Sequence, residues 1–205
     1  MEKILDIYEQ PYDPLRPQIC FDERPCQLID DVLTPLAMES GKPKREDSQY
    51  KRKGVCSLLI AFEPLTGQRF VQIRKQRTMK DYAYFMKELA DTRYPRVEQI
   101  VLVQDNLNTH TPGSFYTAFP AQEAFELAGR FDMHYTPKHA SWLNMVEIEL
   151  SILARQCLKH RIGDIQTLER EVLALVNKRN AQRATVQWRF TKNNARTKLK
   201  RLYPI

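Results

Sequence analysis

Ile100-Val101-Leu102-Val103-Gln104-Asp105-Asn106 is the stretch on which the reading of this chain turns. Four apolar residues in a row, with no polar alternation, describe a strand covered on both faces. The run ends in an acid. Upstream, Gln18-Ile19-Cys20-Phe21-Asp22-Glu23 repeats the device: a short apolar run, read as a buried strand, closed by a carboxylate. Between them, residues 54–62 (Val55, Leu58, Leu59, Ile60) and 69–74 (Phe70, Val71, Ile73) read as strands joined by a Pro64-Leu65-Thr66-Gly67 turn. Residues 28–53 are polar and basic and read as an irregular excursion or hairpin. Thr78 is a good N-cap for a helix carrying Tyr82, Phe85, Met86 and Leu89. Downstream, helices are expected over 114–128, 142–159 and 165–183, and a last short strand over 131–136, closed by Pro137. The order implies an α/β fold: a mixed sheet of three antiparallel and two parallel strands, flanked by helices. Periodicity alone allows other mixed folds.

A length of 205 residues, 42% hydrophobic and 28% charged, suits one soluble domain with a small appendage. Residues 1–17 read as a lead-in, with one short helical pattern (Ile4, Leu5, Tyr8) and then Pro11, Pro14 and Pro17. The main domain is expected over 18–183, and 184–205 reads as a basic tail. No run approaches the ~20 apolar residues that span a bilayer, and Met1 to Asp6 lacks a signal peptide's apolar core. The expectation is a cytoplasmic protein without a membrane partner. Cys20, Cys26, Cys56 and Cys157 show no C-x-x-C pair, and read as buried free thiols. The net charge of +7 fits a polyanionic partner. Lys42, Lys44, Arg45, Lys51, Arg52 and Lys53 form one basic cluster, and nine Lys and Arg from Lys178 to Arg201 form another.

An aspartate closing an apolar strand is costly unless its charge is balanced. Two such strands side by side would bring Asp22 and Asp105 together, where like charges repel unless a divalent cation sits between them. All-oxygen ligands suit magnesium. The plainer alternative makes each aspartate a strand-end or turn cap. A third acid lies in Ser141-Trp142-Leu143-Asn144-Met145-Val146-Glu147-Ile148-Glu149. Helical spacing makes Leu143, Val146, Leu150, Leu153 and Cys157 the core row, with Asn144, Glu147 and Ser151 beside it. Glu147 then borders the sheet, although a carboxylate near a helix start is also favoured by the dipole alone. Glu149 falls on the other flank, toward solvent or a partner.

Phe-Asp-Glu around Asp22, Val-Gln-Asp-Asn-Leu-Asn-Thr-His around Asp105 and Pro-Lys-His-Ala-Ser-Trp-Leu-Asn-Met-Val-Glu ending at Glu147 resemble the DDE transposases. The likeness is to the mariner-type superfamily, in particular its bacterial insertion-sequence (IS-six-thirty) branch, and runs from about Leu15 to near His160. It implies a ribonuclease H-like core whose metal-binding and catalytic triad is Asp22, Asp105 and Glu147. It further implies two magnesium ions, replaceable by manganese, double-stranded DNA (transposon ends and target) as substrate, and a homodimer. Asn106 and Asn144 are candidates for orienting those carboxylates. His110 could approach a phosphate or orient a nucleophile, or be a satisfied structural histidine. Lys138 and His139 could touch the DNA backbone, or belong to a solvated loop. Trp142 and Trp188 could stack on bases, or be buried anchors. Such transposases carry helix-turn-helix modules before the catalytic domain, and nothing ahead of Asp22 has that length, so a catalytic domain alone is expected. Another nuclease on the same fold would need a fourth acid, Glu23 or Glu149. A domesticated protein that only binds DNA is the non-enzymatic alternative.

Overall fold

A computed structural model describes residues 1–43, 45 and 47–203. Lys44 of the first basic cluster, and Pro204 and Ile205 of the tail, lie outside the described residues. The chain opens with α1 (Glu2–Tyr8), then β1 (Gln18–Asp31), β2 (Tyr50–Glu63), β3 (Gln68–Arg74) and α2 (Met79–Glu88), which a π-helical turn (Leu89–Arg93) prolongs. Then come β4 (Ile100–Gln104), α3 (Gly113–Ala118), α4 (Ala121–Gly129) and β5 (Phe131–Tyr135). A 3₁₀ turn (Ser141–Leu143), α5 (Val146–Gln156), α6 (Ile165–Ala181) and α7 (Lys192–Lys198) follow.

The strands form one sheet in the order β3-β2-β1-β4-β5. β1 pairs antiparallel with β2 and β2 with β3, whereas β4 runs parallel to β1 and to β5. This is the mixed sheet expected from the element order. All of β4 is buried, as its unbroken apolar run demands. Successive side chains of a strand face opposite ways, and two cores result. Ile19, Phe21, Leu59, Leu102 and Ile100 pack against α2, α3 and α4 through Phe85, Phe115 and Leu127. Cys20, Ile60, Val101 and Val103 pack against α5 and α6 through Val146, Leu150, Leu168 and Val172. No helix among the described residues is long and apolar enough to cross a membrane.

Several boundaries differ from those expected. β1 and β2 run well into the supposed irregular excursion, pairing as far as Asp31–Tyr50 and leaving only 32–49 outside them. Backbone pairing carries this outer half of the hairpin without an apolar face, and a register shift between Leu28 and Ile29 lies opposite Gly54, whose φ of +126° suits a bulge. The helix expected over 114–128 is two, because Pro120 forces Phe119 into an extended conformation. The helix expected from 142 begins only at Val146, since Asn144 is extended (ψ 109°), and it stops at Gln156.

The two ends of the chain pack together. α1 buries Ile4, Leu5, Ile7 and Tyr8, and Leu5 meets Leu143 and Ala195 of α7. Glu2 pairs with Arg196 at 2.7 Å and Tyr8 donates to the Leu143 carbonyl at 2.7 Å. The described part of the tail is thus folded against the lead-in helix, because Ala195, Trp188 and Phe190 give it an apolar side. Gly67, in the turn between β2 and β3, has φ +71°, and a Cβ there would stand 2.6 Å from the Arg183 carbonyl carbon. The segment after α6 lies directly on that turn, with the Val186 N–H donating to the Pro64 carbonyl at 3.1 Å.

Candidate active site

Strand pairing brings the first two acids together. The last β1–β4 pair is Cys20–Val103. Asp22 lies two residues on in β1, with the parity of Cys20 and so on the face covered by α5, and Asp105 comes directly after the last residue of β4. Asp22 is 9% exposed. Its Oδ1 accepts from the Glu23 N–H at 2.8 Å and its Oδ2 from Asn144 Nδ2 at 3.5 Å. Burial pushes its pKa up to about 7, a shift that the neighbouring charges of Asp105, Glu147 and Glu23 augment and the Glu23 N–H opposes. Asp22 therefore lies within electrostatic reach of both other acids.

Asp105 follows the end of β4 and is half-exposed. Burial raises its pKa, but the His110 side chain outweighs this and holds the carboxyl below its usual range. Oδ1 lies 2.5 Å from His110 Nδ1 and accepts from the Leu107 N–H at 3.3 Å. Glu147 is the second residue of α5 and partly exposed. Among the described residues no three His, Cys, Asp or Glu side chains are already gathered into a metal cage. Asp105 is turned toward His110, and Glu147 stands at an open helix start. The donor set is nonetheless suited to a hard divalent cation: all oxygen, anionic, and including a buried carboxyl that holds a proton near neutrality for want of a positive neighbour.

The remaining expected residues divide clearly. Asn144 is buried (1% exposed), and its Nδ2 donates to the Phe21 carbonyl at 2.9 Å, tying the start of α5 to β1 beside Asp22. His110 is also 1% exposed. Desolvation lowers its pKa, but the Asp105 and Glu23 carboxylates on either side prevail and raise it to about 9. Its ring lies inside the fold between those two carboxylates. Asn106, Lys138 and His139 are exposed and line, with Asp105, Thr136 and Ser141, an open cleft of about 350 Å³. Asn106 makes no hydrogen bond to a carboxylate there, so its expected orienting role has no contact behind it. His139 has φ +62°, an uncommon left-handed backbone for a non-glycine residue. Trp142, 44% exposed, stacks on Trp188 at 6.4 Å, and Phe190 meets it edge-on. The two tryptophans anchor each other, and neither is fully buried.

Glu149 overturns its expected place. It is 1% exposed, and both its oxygens are held by Arg69 (2.8 and 2.7 Å) and Arg179 (2.9 and 2.8 Å). Burial raises its pKa, but the two guanidinium groups prevail and lower it. The stripe argument sorted α5 correctly for the sheet and missed α6, which covers its flank. Arg69, on the face of β3 that also carries Val71 and Ile73, was the available signal, because a buried guanidinium requires an acid. Glu23, Gln104 and Tyr82 were likewise not recognised as the surroundings of His110.

A family profile described as DDE superfamily endonuclease matches residues 17–169. No curated protein matches the sequence. Among solved structures, the Mos1 mariner paired-end complex with manganese is similar, with a TM-score of 0.59 and 12% identity, covering 89% of this chain and 55% of that one. The catalytic domain of Mos1 mariner transposase matches with a TM-score of 0.54 and 10% identity, over 89% and 87%. The Mos1 strand transfer complex gives 0.54 and 12%, over 89% and 56%. This chain thus spans little more than half the length of the chains in the two complexes. At such identities the likeness is one of fold, and that fold is ribonuclease H-like. Because the matched profile runs from the residue before β1 into α6 and takes in every strand of the sheet, the chain belongs to the DDE superfamily endonucleases.

Proposed function

We propose that this chain is the catalytic domain of a mariner-type transposase, of the bacterial insertion-sequence branch, which cuts and joins DNA through Asp22, Asp105 and Glu147. The observation that carries the reading is geometric: within the stretch that the endonuclease profile matches, Asn144 ties buried Asp22 to the start of α5, the helix that bears Glu147. The three acids would hold two magnesium or manganese ions. Such a pair supplies activation of a water or a 3′-hydroxyl and stabilisation of the departing oxygen in an in-line displacement. A similar structure, the Mos1 mariner paired-end complex with manganese, supports both the metal and the transposon ends as partner.

The chain's own residues do the rest. Asn144 keeps the Asp22 carboxylate and the start of α5 in one piece. His110 fixes one oxygen of Asp105, leaving the other for the cleft. Lys138 and His139, exposed on the cleft wall, suit contact with a DNA phosphate backbone, where cations contribute most of the affinity. Double-stranded DNA, as transposon ends and target, is the proposed partner, the working form a homodimer, and the place of action the cytoplasm.

The test uses the purified chain with manganese. Calorimetry reads metal binding, and conversion of supercoiled plasmid to nicked circles reads cleavage. Wild type is expected to do both. Asp105→Asn and Glu147→Gln should lose metal binding and at least about a thousandfold in nicking, since a catalytic metal is worth several kcal/mol and each 1.4 kcal/mol is tenfold. Unchanged metal binding in both variants would falsify the reading.

A further inference from the structure

His110 is clamped before it touches any acid. Tyr82 stacks on its ring at 5.0 Å with 28° between planes, and Phe21 meets it edge-on at 5.1 Å. Its carbonyl accepts from Gln104 Nε2 at 3.0 Å, and Gln104 Oε1 in turn accepts from the Tyr82 hydroxyl at 2.9 Å. The ring then offers one nitrogen to each of two carboxylates. Nδ1 lies 2.5 Å from Asp105 Oδ1, and Nε2 lies 2.6 Å from Glu23 Oε2. The Nδ1 contact is a hydrogen bond, whereas the Nε2 contact is a close approach without hydrogen-bond geometry that leaves Glu23 Oε2 with no hydrogen-bond partner among the described residues.

Glu23 follows Asp22 on β1 and therefore projects to the opposite face of the sheet, the face of α2. Its side chain is 5% exposed against 37% for that of Asp105. Its other oxygen is 3.8 Å from Arg77 Nη1. Glu23 thus lies buried behind the sheet, away from the cleft. We infer that Glu23 is a positioning residue of the proposed metal centre, acting through His110 to set where the Asp105 carboxylate points. The inference rests on the reading of Asp22, Asp105 and Glu147 given above. The arrangement has a physical purpose. Tyr82 and Phe21 fix the plane of the ring, and the Glu23 carboxylate closes its far edge, so that Nδ1 is presented in one direction and Asp105 follows. Groups behind metal ligands are commonly worth about 10–100-fold in metal affinity.

The experiment is manganese calorimetry on the full chain, with near-ultraviolet circular dichroism to establish folding, for Glu23→Gln, His110→Gln, the double variant and Asp105→Asn. Glu23→Gln keeps the shape and removes the charge, and is expected to weaken manganese binding about tenfold in a folded protein. Because Glu23 acts through His110, the double variant should lose no more affinity than His110→Gln alone, a non-additivity that a merely structural contribution would not produce. Wild-type affinity in Glu23→Gln, or losses that add in the double variant, overturns the inference. Should Glu23→Gln fail to fold, Glu23→Asp, which keeps the charge but withdraws it by one methylene, must show a smaller loss, and wild-type affinity there overturns it equally. Asp105→Asn separates the two readings. If it still binds manganese, the metal centre itself is wrong, whereas if it does not while Glu23→Gln binds normally, only the role of Glu23 falls.

Discussion

Glu63, at the end of β2, is a carboxyl buried with one hydrogen bond to spare. The Tyr94 hydroxyl donates to its Oε2 at 2.9 Å, yet burial still raises its pKa, against the lowering effects of Thr66 and Tyr94. The fold therefore favours its protonated form. Below the ordinary carboxylate range, folded and unfolded chains are both protonated there and the site is neutral for stability. As pH rises through the unfolded value toward the raised folded one, the folded chain binds the extra proton and stability declines. Denaturant midpoints of wild type and Glu63→Gln, taken from about pH 4 to pH 8, should diverge in favour of the glutamine variant as pH rises; a constant difference would contradict this. Asp22 and Asp105 were legible in the sequence because an apolar run that stops at an acid is a local signal. Glu149 was not, because its partners Arg69 and Arg179 lie 80 and 30 residues away.

α5 is mounted on both sides. Asn144 ties its start to β1, and two residues past Glu147 the buried Glu149 bolts it to β3 and α6 through Arg69 and Arg179. Removing one partner from a buried ionic cluster leaves charge uncompensated and costs about 3–5 kcal/mol. Glu149→Met, which strips both guanidinium groups of their only acid here, is expected to lower unfolding free energy by about that amount, read from denaturant titration. Converting Arg69, Glu149 and Arg179 together to apolar residues should recover most of it. A triple variant as unstable as the single one would show that packing, not charge, holds α5. The elements themselves were largely readable: the five strands of the mixed sheet and the Thr78 cap follow from short-range pattern. Lengths were not. The β1–β2 hairpin owes its outer half to backbone pairing, which leaves no apolar trace, and the break before α5 rests on the backbone of Asn144, in a segment whose apolar spacing continues unbroken.

Across the chain, the sheet's two faces carry different tasks. The α5–α6 face holds Asp22 and its neighbours, and the α2 face holds the His110 clamp. What unites them is a sheet whose turns must close tightly, and the turn at Gly67 does so directly under the segment after α6. Any side chain there meets Arg183 and Ala184 backbone atoms at 2.6–2.9 Å, and the positive φ adds strain of its own. Gly67→Ala is expected to cost about 2–5 kcal/mol, from a left-handed backbone of about 1–2 and overpacking of about 1–3, measured by denaturation; a neutral outcome would mean that the segment over the turn yields freely. The effect should not stay local. The Ala184 carbonyl that a new methyl would displace accepts from Arg69 at 2.6 Å, and Arg69 grips Glu149. A methyl group at a position that contributes nothing to the cleft would thereby slacken the mooring of the helix that bears Glu147, and a saturation screen for lost cleavage should flag Gly67 alongside the acids.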